Sequence, residues 1–329
     1  MSEIEVIAPG MLTTVQDLGR EGFGAIGVSA SGAADAVALR IGNKLVGNGE
    51  GAAGLEMTLL GGAFRVQERS IMAITGSDFG ATLEGAALQP WNSFGVQAGQ
   101  TLRFGPTQSG ARCYLCVHGG IAVEPFLGSA STHLLSGLGG FEGRALRKGD
   151  VLHCGPLRPG FIQRSIAPTA WQRLRPRKTL RVTAGPQWDW FSLDFRESFL
   201  GGSYTVAEES NRMGLRLERR LERRLGSSNE AGPQRGAVRH SGEMLSEGVA
   251  LGAIQIPESG NPIILFVDQQ TTGGYPKIAN VISADLSSVG QLRPRDEIKF
   301  ECVDMETARA LYKEQEDLLT SDALFAGDL

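Results

Sequence analysis

A dense run of mostly uncharged hydrogen-bonding side chains is "DQQTTGGYP", residues 268–276. Gln269, Gln270, Thr271 and Thr272 offer amide and hydroxyl groups, and Gly273 and Gly274 let backbone N–H groups come close to a ligand. Tyr275 stands before Pro276 and is held extended. Neutral donors and acceptors suit an amide, a ureido ring or a lactam, and do not suit a phosphate. The plainer alternative is a tight β corner whose polar groups satisfy buried backbone.

Two further clusters carry polar groups beside glycine. The first, "TTVQDLGREGFGAIGVSASGAAD" (13–35), holds Gln16, Asp17, Arg20, Ser29, Ser31 and Asp35. Asp17 and Arg20 could pair across a turn, or Arg20 could clamp a carboxylate through its planar fork. The second, "SNRMG" (210–214), sets Asn211 and Arg212 beside a glycine and suits a carboxylate or an amide, or else caps a helix. After it, "RLERRLERRLG" places Leu217, Leu221 and Leu225 every four residues, which predicts an exposed amphipathic helix.

Other chemistries lack their signatures. No P-loop, HExxH or GxSxG is present, "GREGFG" (19–24) and "GGFEGR" (139–144) lack the GxGxxG spacing, and no Met-Lys-Met stretch could carry biotin covalently. Cys113 and Cys116 form a lone CxxC on a segment that reads as a strand. Residues three apart on a strand point to opposite faces, so the pair predicts two buried thiols and no metal. The net charge of -4 gives no reason to expect nucleic acid or an anionic membrane as partner. The first ten residues lack a basic n-region and no apolar run is long enough for a bilayer, so the expected compartment is the cytoplasm.

The elements that must position these clusters are mostly strands. The 45 glycines fall between short apolar runs, and residues 57–154 read as a closed or sandwiched sheet rather than βα units. Helices are predicted over 31–47, with Ser31 as N-cap, from near Asp189, and from near Asp304 with an apolar face of Met305, Ala308, Leu311, Tyr312 and Leu319. Residues 226–236 read as a loop. Three segments, 97–105, 147–155 and 293–301, share a turn, a polar residue and an alternating strand, which suggests related lobes. The expected division is a first β lobe over 1–160, a linker over 161–180, and a second β lobe with a C-terminal helix over 181–329.

The three clusters, with "NKLVGN", "HGGIAVEPFLGSAST", "GGFEGRALRKGD" and "AGPQWDWF" in order between them, resemble the biotin-dependent carboxyltransferase family, also called allophanate hydrolase subunit 2. That family includes the C subunit of bacterial 5-oxoprolinase and the antagonist of a sporulation-kinase inhibitor. The resemblance implies a mainly β chain with a few helices, built as two cyclophilin-like β-barrel lobes. It implies one component of an ATP-dependent, multi-chain amide-processing enzyme, foremost a 5-oxoprolinase that opens 5-oxoproline to glutamate. Biotin-dependent carboxyl transfer to urea or a urea-like compound, and non-catalytic partner binding, are the alternatives. The implied partners are an allophanate hydrolase subunit 1-type chain, which is the B subunit of 5-oxoprolinase, and a lactam-opening A subunit. ATP, and for the transferase also biotin, would come through partner subunits. The expected catalytic residues are Asp17 as base or proton relay, Gln16 and Thr272, with Gly273 and Gly274 N–H groups polarising a carbonyl. The expected substrate contacts are Ser31, Asp35, Asn211, Gln269, Thr271 and Tyr275, with Arg20 and Arg212 for a carboxylate. The sequence departs from the family pattern at Arg295, where Pro-Gly-Asp is usual.

Overall fold

The run "RCYLCV", Arg112–Val117, is buried at every residue because both of its faces are covered. It pairs antiparallel with Gly54–Thr58 on one side and Ser70–Gly76 on the other, inside a five-stranded sheet. Strand alternation then sorts its side chains. Cys113, Leu115 and Val117 enter a core shared with Ile4, Val6, Phe64 and Leu102 of a seven-stranded sheet. Tyr114 and Cys116 enter a second core with Val37, Leu39 and Ile41 of the helix Ala36–Leu45. The two CxxC thiols therefore diverge. Burial pushes the Cys113 thiol well up and Cys116 up to about 12, so neither is a reactive thiolate. The structure is a computed structural model and describes residues 2–156, 163–220 and 244–326.

The chain forms two compact units, one of Met1–Gly22, Ala30–Arg175 and Glu316–Leu329, the other of Phe23–Ser29 and Pro176–Gln315. The helix Pro168–Leu174 lies within the stretch expected as linker, and its Ala170 enters the first unit's core. The closing helix, Met305–Thr320, begins with Asp304 accepting from the Thr307 N–H at 2.7 Å. Its last turn groups with the first unit rather than wholly with the second. There Glu316 receives the Arg40 fork at 2.7 and 2.8 Å, and Leu318 and Leu319 join the core under Ala36–Leu45.

The first unit is thus two sheets around a common core. The second is a closed seven-stranded barrel in the order Thr179–Ala184, Lys277–Val281, Ala253–Gln255, Ile263–Leu265, Gly214–Arg219, Ser203–Val206, Glu297–Cys302. Parallel pairing of Thr179–Ala184 with Glu297–Cys302 closes the ring and leaves no free edge. The helix Leu193–Gly201 starts after Ser192, whose side chain accepts from the Phe195 N–H, and stacks Phe199 on Phe300 at 4.7 Å. No described helix is long and apolar enough to cross a membrane.

Two local expectations change. The first helix is capped by Asp35, which accepts from the Ala38 N–H at 2.9 Å; Ser31 lies upstream with a φ of 55° that no helix N-terminus uses. The leucine spacing after Arg212 does not make a helix over its described part. Gly214–Arg219 is a strand, with Leu215 and Leu217 buried by period-two alternation, because barrel pairing to Ile263–Leu265 overrides the four-residue spacing. Leu221, Leu225 and the loop expected at 226–236 lie outside the described residues.

The three sequence repeats share one turn. The N–H groups of Gln100, Asp150 and Asp296 donate to the carbonyls of Gln97, Arg147 and Arg293 at 3.2, 3.2 and 3.0 Å. The same three side chains accept the N–H of the turn's first residue at 2.8, 2.7 and 2.7 Å. The third position is left-handed each time: Gly99, Gly149 and Arg295, with φ of 84°, 90° and 71°. Arg295 holds a conformation that glycine adopts without steric cost.

Candidate functional site

The part of the first polar cluster around Asp17 is a loop lock within the first unit, whereas residues 23–29 group with the second, where the Ser29 hydroxyl donates to Val267 O at 3.1 Å. Asp17 is buried, and four donors converge on its carboxylate: Gly19 N–H at 2.8 Å, and Ser129 hydroxyl, Ser131 hydroxyl and Ala130 N–H at 2.6 Å each. Arg20 is also buried and turns to backbone, donating to the carbonyls of Phe126 and Ser131 while its guanidinium lies over the Phe126 ring. Gln16 donates to Thr14 Oγ1 and Thr132 O, each at 3.1 Å, and Ser31 also donates to Thr132 O at 3.1 Å. Asp35 caps its helix, and its N–H donates to the Tyr114 hydroxyl at 2.7 Å. That hydroxyl in turn donates to buried Glu56 at 2.6 Å. Asp17, Arg20 and Asp35 are all engaged in holding main chain, which is what loop fixation requires. Three of the four donors to Asp17 fall on Oδ1 and one, the Ala130 N–H, on Oδ2.

The other two clusters meet within the second unit. Asn211 forms a turn, accepting from Met213 N–H at 2.8 Å and from Gly214 N–H at 3.4 Å. Arg212 forks onto Asp268 at 2.8 and 3.1 Å, both side chains being buried, and Asp268 N–H donates to Arg212 O at 2.9 Å. This pair ties "NRMG" to the start of "DQQTTGG" and commits the Arg212 charge to a protein carboxylate. Beyond it, Gln269 donates to Val249 O at 3.3 Å. Thr272–Gly273 then pairs with Glu247–Gly248, with Gly273 opposite Glu247 and Gly248 opposite Thr272. Thr272, Gly274 and Tyr275 are exposed, and Thr271 is half-buried.

Behind this small ribbon lies the group with the most distinctive chemistry. Lys277, at the mouth of the barrel strand Lys277–Val281, is only 4% exposed, and its ammonium pairs with Glu247. Gln187 ties the pair together: its amide donates to Glu247 at 2.8 Å and its carbonyl accepts from Lys277 N–H at 3.0 Å. Lys277, then Gln187, hold the Glu247 carboxyl below the usual carboxylate range. Directly across the barrel ladder from Lys277 is Gln255, 2% exposed, whose amide nitrogen has no acceptor among the described residues. The side-chain oxygen of Gln269 also lacks a partner there. A Cβ at Gly273 would stand 2.6 Å from the Gln255 amide nitrogen and push it aside, so glycine preserves this arrangement. Among the described residues, no group of three or more His, Cys, Asp or Glu side chains is placed to hold a metal ion.

The family model for the carboxyltransferase domain, subdomains A and B, matches residues 26–302. The chain belongs to the carboxyltransferase-domain family. Its relatives match along most of its length. It is 36% identical to the C subunit of 5-oxoprolinase from Escherichia coli (strain K12), over 95% of both chains. It is 34% identical to the urea amidolyase of Saccharomyces cerevisiae (strain ATCC 204508 / S288c), over 96% of this chain and 17% of that protein. In structure it is similar to the K. lactis urea amidolyase, with a TM-score of 0.84 at 31% identity, over 99% of this chain and 21% of that one. The chain thus matches nearly all of the subunit in one relative and spans about a fifth of the large urea enzymes.

Sequence reasoning singled out residues 268–276 but not the buried lysine behind them. Lys277, Glu247, Gln187 and Gln255 were hidden in apolar contexts or outside the dense run. One signal was available. In "KIANVI", Lys277 is in phase with Ala279 and Val281, so a strand with that face buried must bury a lysine.

Proposed function

We propose that the chain is the C subunit of an ATP-dependent 5-oxoprolinase, helping to open 5-oxoproline to glutamate beside a subunit 1-type partner and a lactam-opening partner. The observation that carries this reading is correspondence in extent. The chain and the 5-oxoprolinase C subunit of Escherichia coli match over 95% of both, at 36% identity. ATP would act through the partners, since the sequence carries no P-loop motif.

In this reading the substrate meets the second unit at the corner formed by Glu247–Gly248 and Thr272–Gly273. Thr272, Gly273 and Gly274 would contact the neutral N–C=O group, with Gln269 and Tyr275 beside it. The Arg212–Asp268 pair would hold the corner in register, and Asp17 would keep the first unit's 126–132 loop in place. The test is reconstitution with partner subunits, ATP and 5-oxoproline. Glutamate and phosphate should appear together, and both should fall when Thr272→Val is introduced. Absence of turnover with all subunits folded would refute the reading.

The similarity to urea amidolyases supports a second reading, biotin-dependent carboxyl transfer to a urea-like nitrogen. Avidin decides between them. It would abolish carboxyl transfer from a biotin carrier and leave lactam opening untouched.

A further inference from the structure

Two buried donors, Lys277 and Gln255, stand opposite each other on the barrel ladder of the second unit. Lys277 brings an ammonium into an almost fully buried position, and its carboxylate partner, Glu247, has a side chain 47% exposed on a two-residue strand. Gln255, its cross-strand neighbour, adds a buried N–H with nothing among the described residues to donate to. A buried ammonium demands a counter-charge, and a buried amide N–H demands an acceptor. An oxyanion placed between them satisfies both at once. Gly273 keeps the approach to the Gln255 amide open, because a side chain there would press on it.

We propose that Lys277 and Gln255 form a receptor for a carboxylate, and that Glu247 occupies the Lys277 ammonium as an internal stand-in until a ligand carboxylate replaces it. The ligand class is a small carboxylic acid that also carries a neutral amide, the amide meeting the Gln269–Gly274 segment. This rests on reading the corner as the substrate site of an amide-processing subunit. It assigns the carboxylate to Lys277 rather than to Arg20, which holds backbone, or Arg212, which is committed to Asp268. Exchange of one carboxylate for another keeps the buried charge compensated, and the displaced Glu247 side chain lies at the surface where water takes it up.

The test is calorimetric titration of the full chain with acetate, 5-oxoproline and 2-pyrrolidone, the last having the lactam without the carboxylate. Wild-type protein should bind 5-oxoproline in preference to 2-pyrrolidone. Glu247→Gln should bind acetate and 5-oxoproline on the order of tenfold more tightly, because the competing carboxylate is gone. Lys277→Met should lose that preference, and Lys277→Arg should retain part of it. Carboxylate binding equal in wild type and Lys277→Met, or absent from both wild type and Glu247→Gln, would overturn the proposal. If Lys277→Met does not fold, Glu247→Gln decides alone: binding no tighter than wild type rejects the receptor. The proposed activity fails separately. Lys277-dependent carboxylate binding without 5-oxoproline turnover in the full assembly would keep the receptor and remove that substrate.

Discussion

Asp17 and Lys277 are both buried charges in glycine-rich polar clusters, one in each unit, and they are treated in opposite ways. Four donors surround Asp17, two of them backbone N–H groups. Lys277 has, among the described residues, one half-exposed carboxylate, and the amide across from it donates to nothing. The Asp17 carboxylate is held by four of the protein's own donors, and beside it the Gln16 side-chain oxygen is left over as a neutral acceptor among the described residues. The Lys277 corner is incomplete in the sense a ligand can complete. Polar residues packed beside glycine therefore do not mark a site by density alone. Whether the protein itself fulfils their hydrogen-bonding capacity separates a structural lock from a binding corner.

The comparison breaks most visibly at Asp17. Asp17→Ala strands up to four donors, each costing about 1–3 kcal/mol, so urea denaturation should show a loss of about 4 kcal/mol or more. Asp268→Ala leaves the buried Arg212 without its carboxylate and should cost about 3–5 kcal/mol by the same measurement. Lys277→Met should behave differently. It removes a buried ammonium, keeps most of the apolar stem, and leaves Glu247 to water. Its unfolding free energy should stay within about 1 kcal/mol of wild type. A loss as large as that at Asp17 would make Lys277 a second lock.

The pH dependence sharpens the same contrast. Lys277 holds the Glu247 carboxyl below its unfolded value, so this pair adds stability above the ordinary carboxylate range. That part is lost as pH falls through the lowered folded value. Urea midpoints measured down an acid series should show the loss in wild type and a smaller one in Lys277→Met. The smallest effect lies at the repeated turn. Arg295→Gly should stabilise the protein by about 1 kcal/mol, because it removes a left-handed non-glycine residue from a turn that Gly99 and Gly149 make without strain.

Much of the fold was legible because it depends on local periods. Strand alternation placed Cys113 and Cys116 in different cores, and the shared turn of three segments was visible as sequence. The family motifs pointed to the corner at 268–275. What stayed hidden depends on pairing across distant segments. Asp35 rather than Ser31 caps the first helix because Ser31 is held left-handed, with its hydroxyl on Thr132 O. Leu217 follows a strand because Ile263–Leu265 pairs beside it. Arg212 looked available for a substrate until Asp268, 56 positions away, took its fork. Lys277, Gln187, Glu247 and Gln255 come together only through the barrel ladder and the Glu247–Gly273 pairing.

Turnover of 5-oxoproline by the reconstituted assembly carrying Lys277→Met is the most direct measurement. If the corner of the second unit receives the substrate carboxylate, kcat/KM falls on the order of a hundredfold while the variant melts as the wild type does. Unchanged kcat/KM in a folded Lys277→Met assembly would contradict that claim.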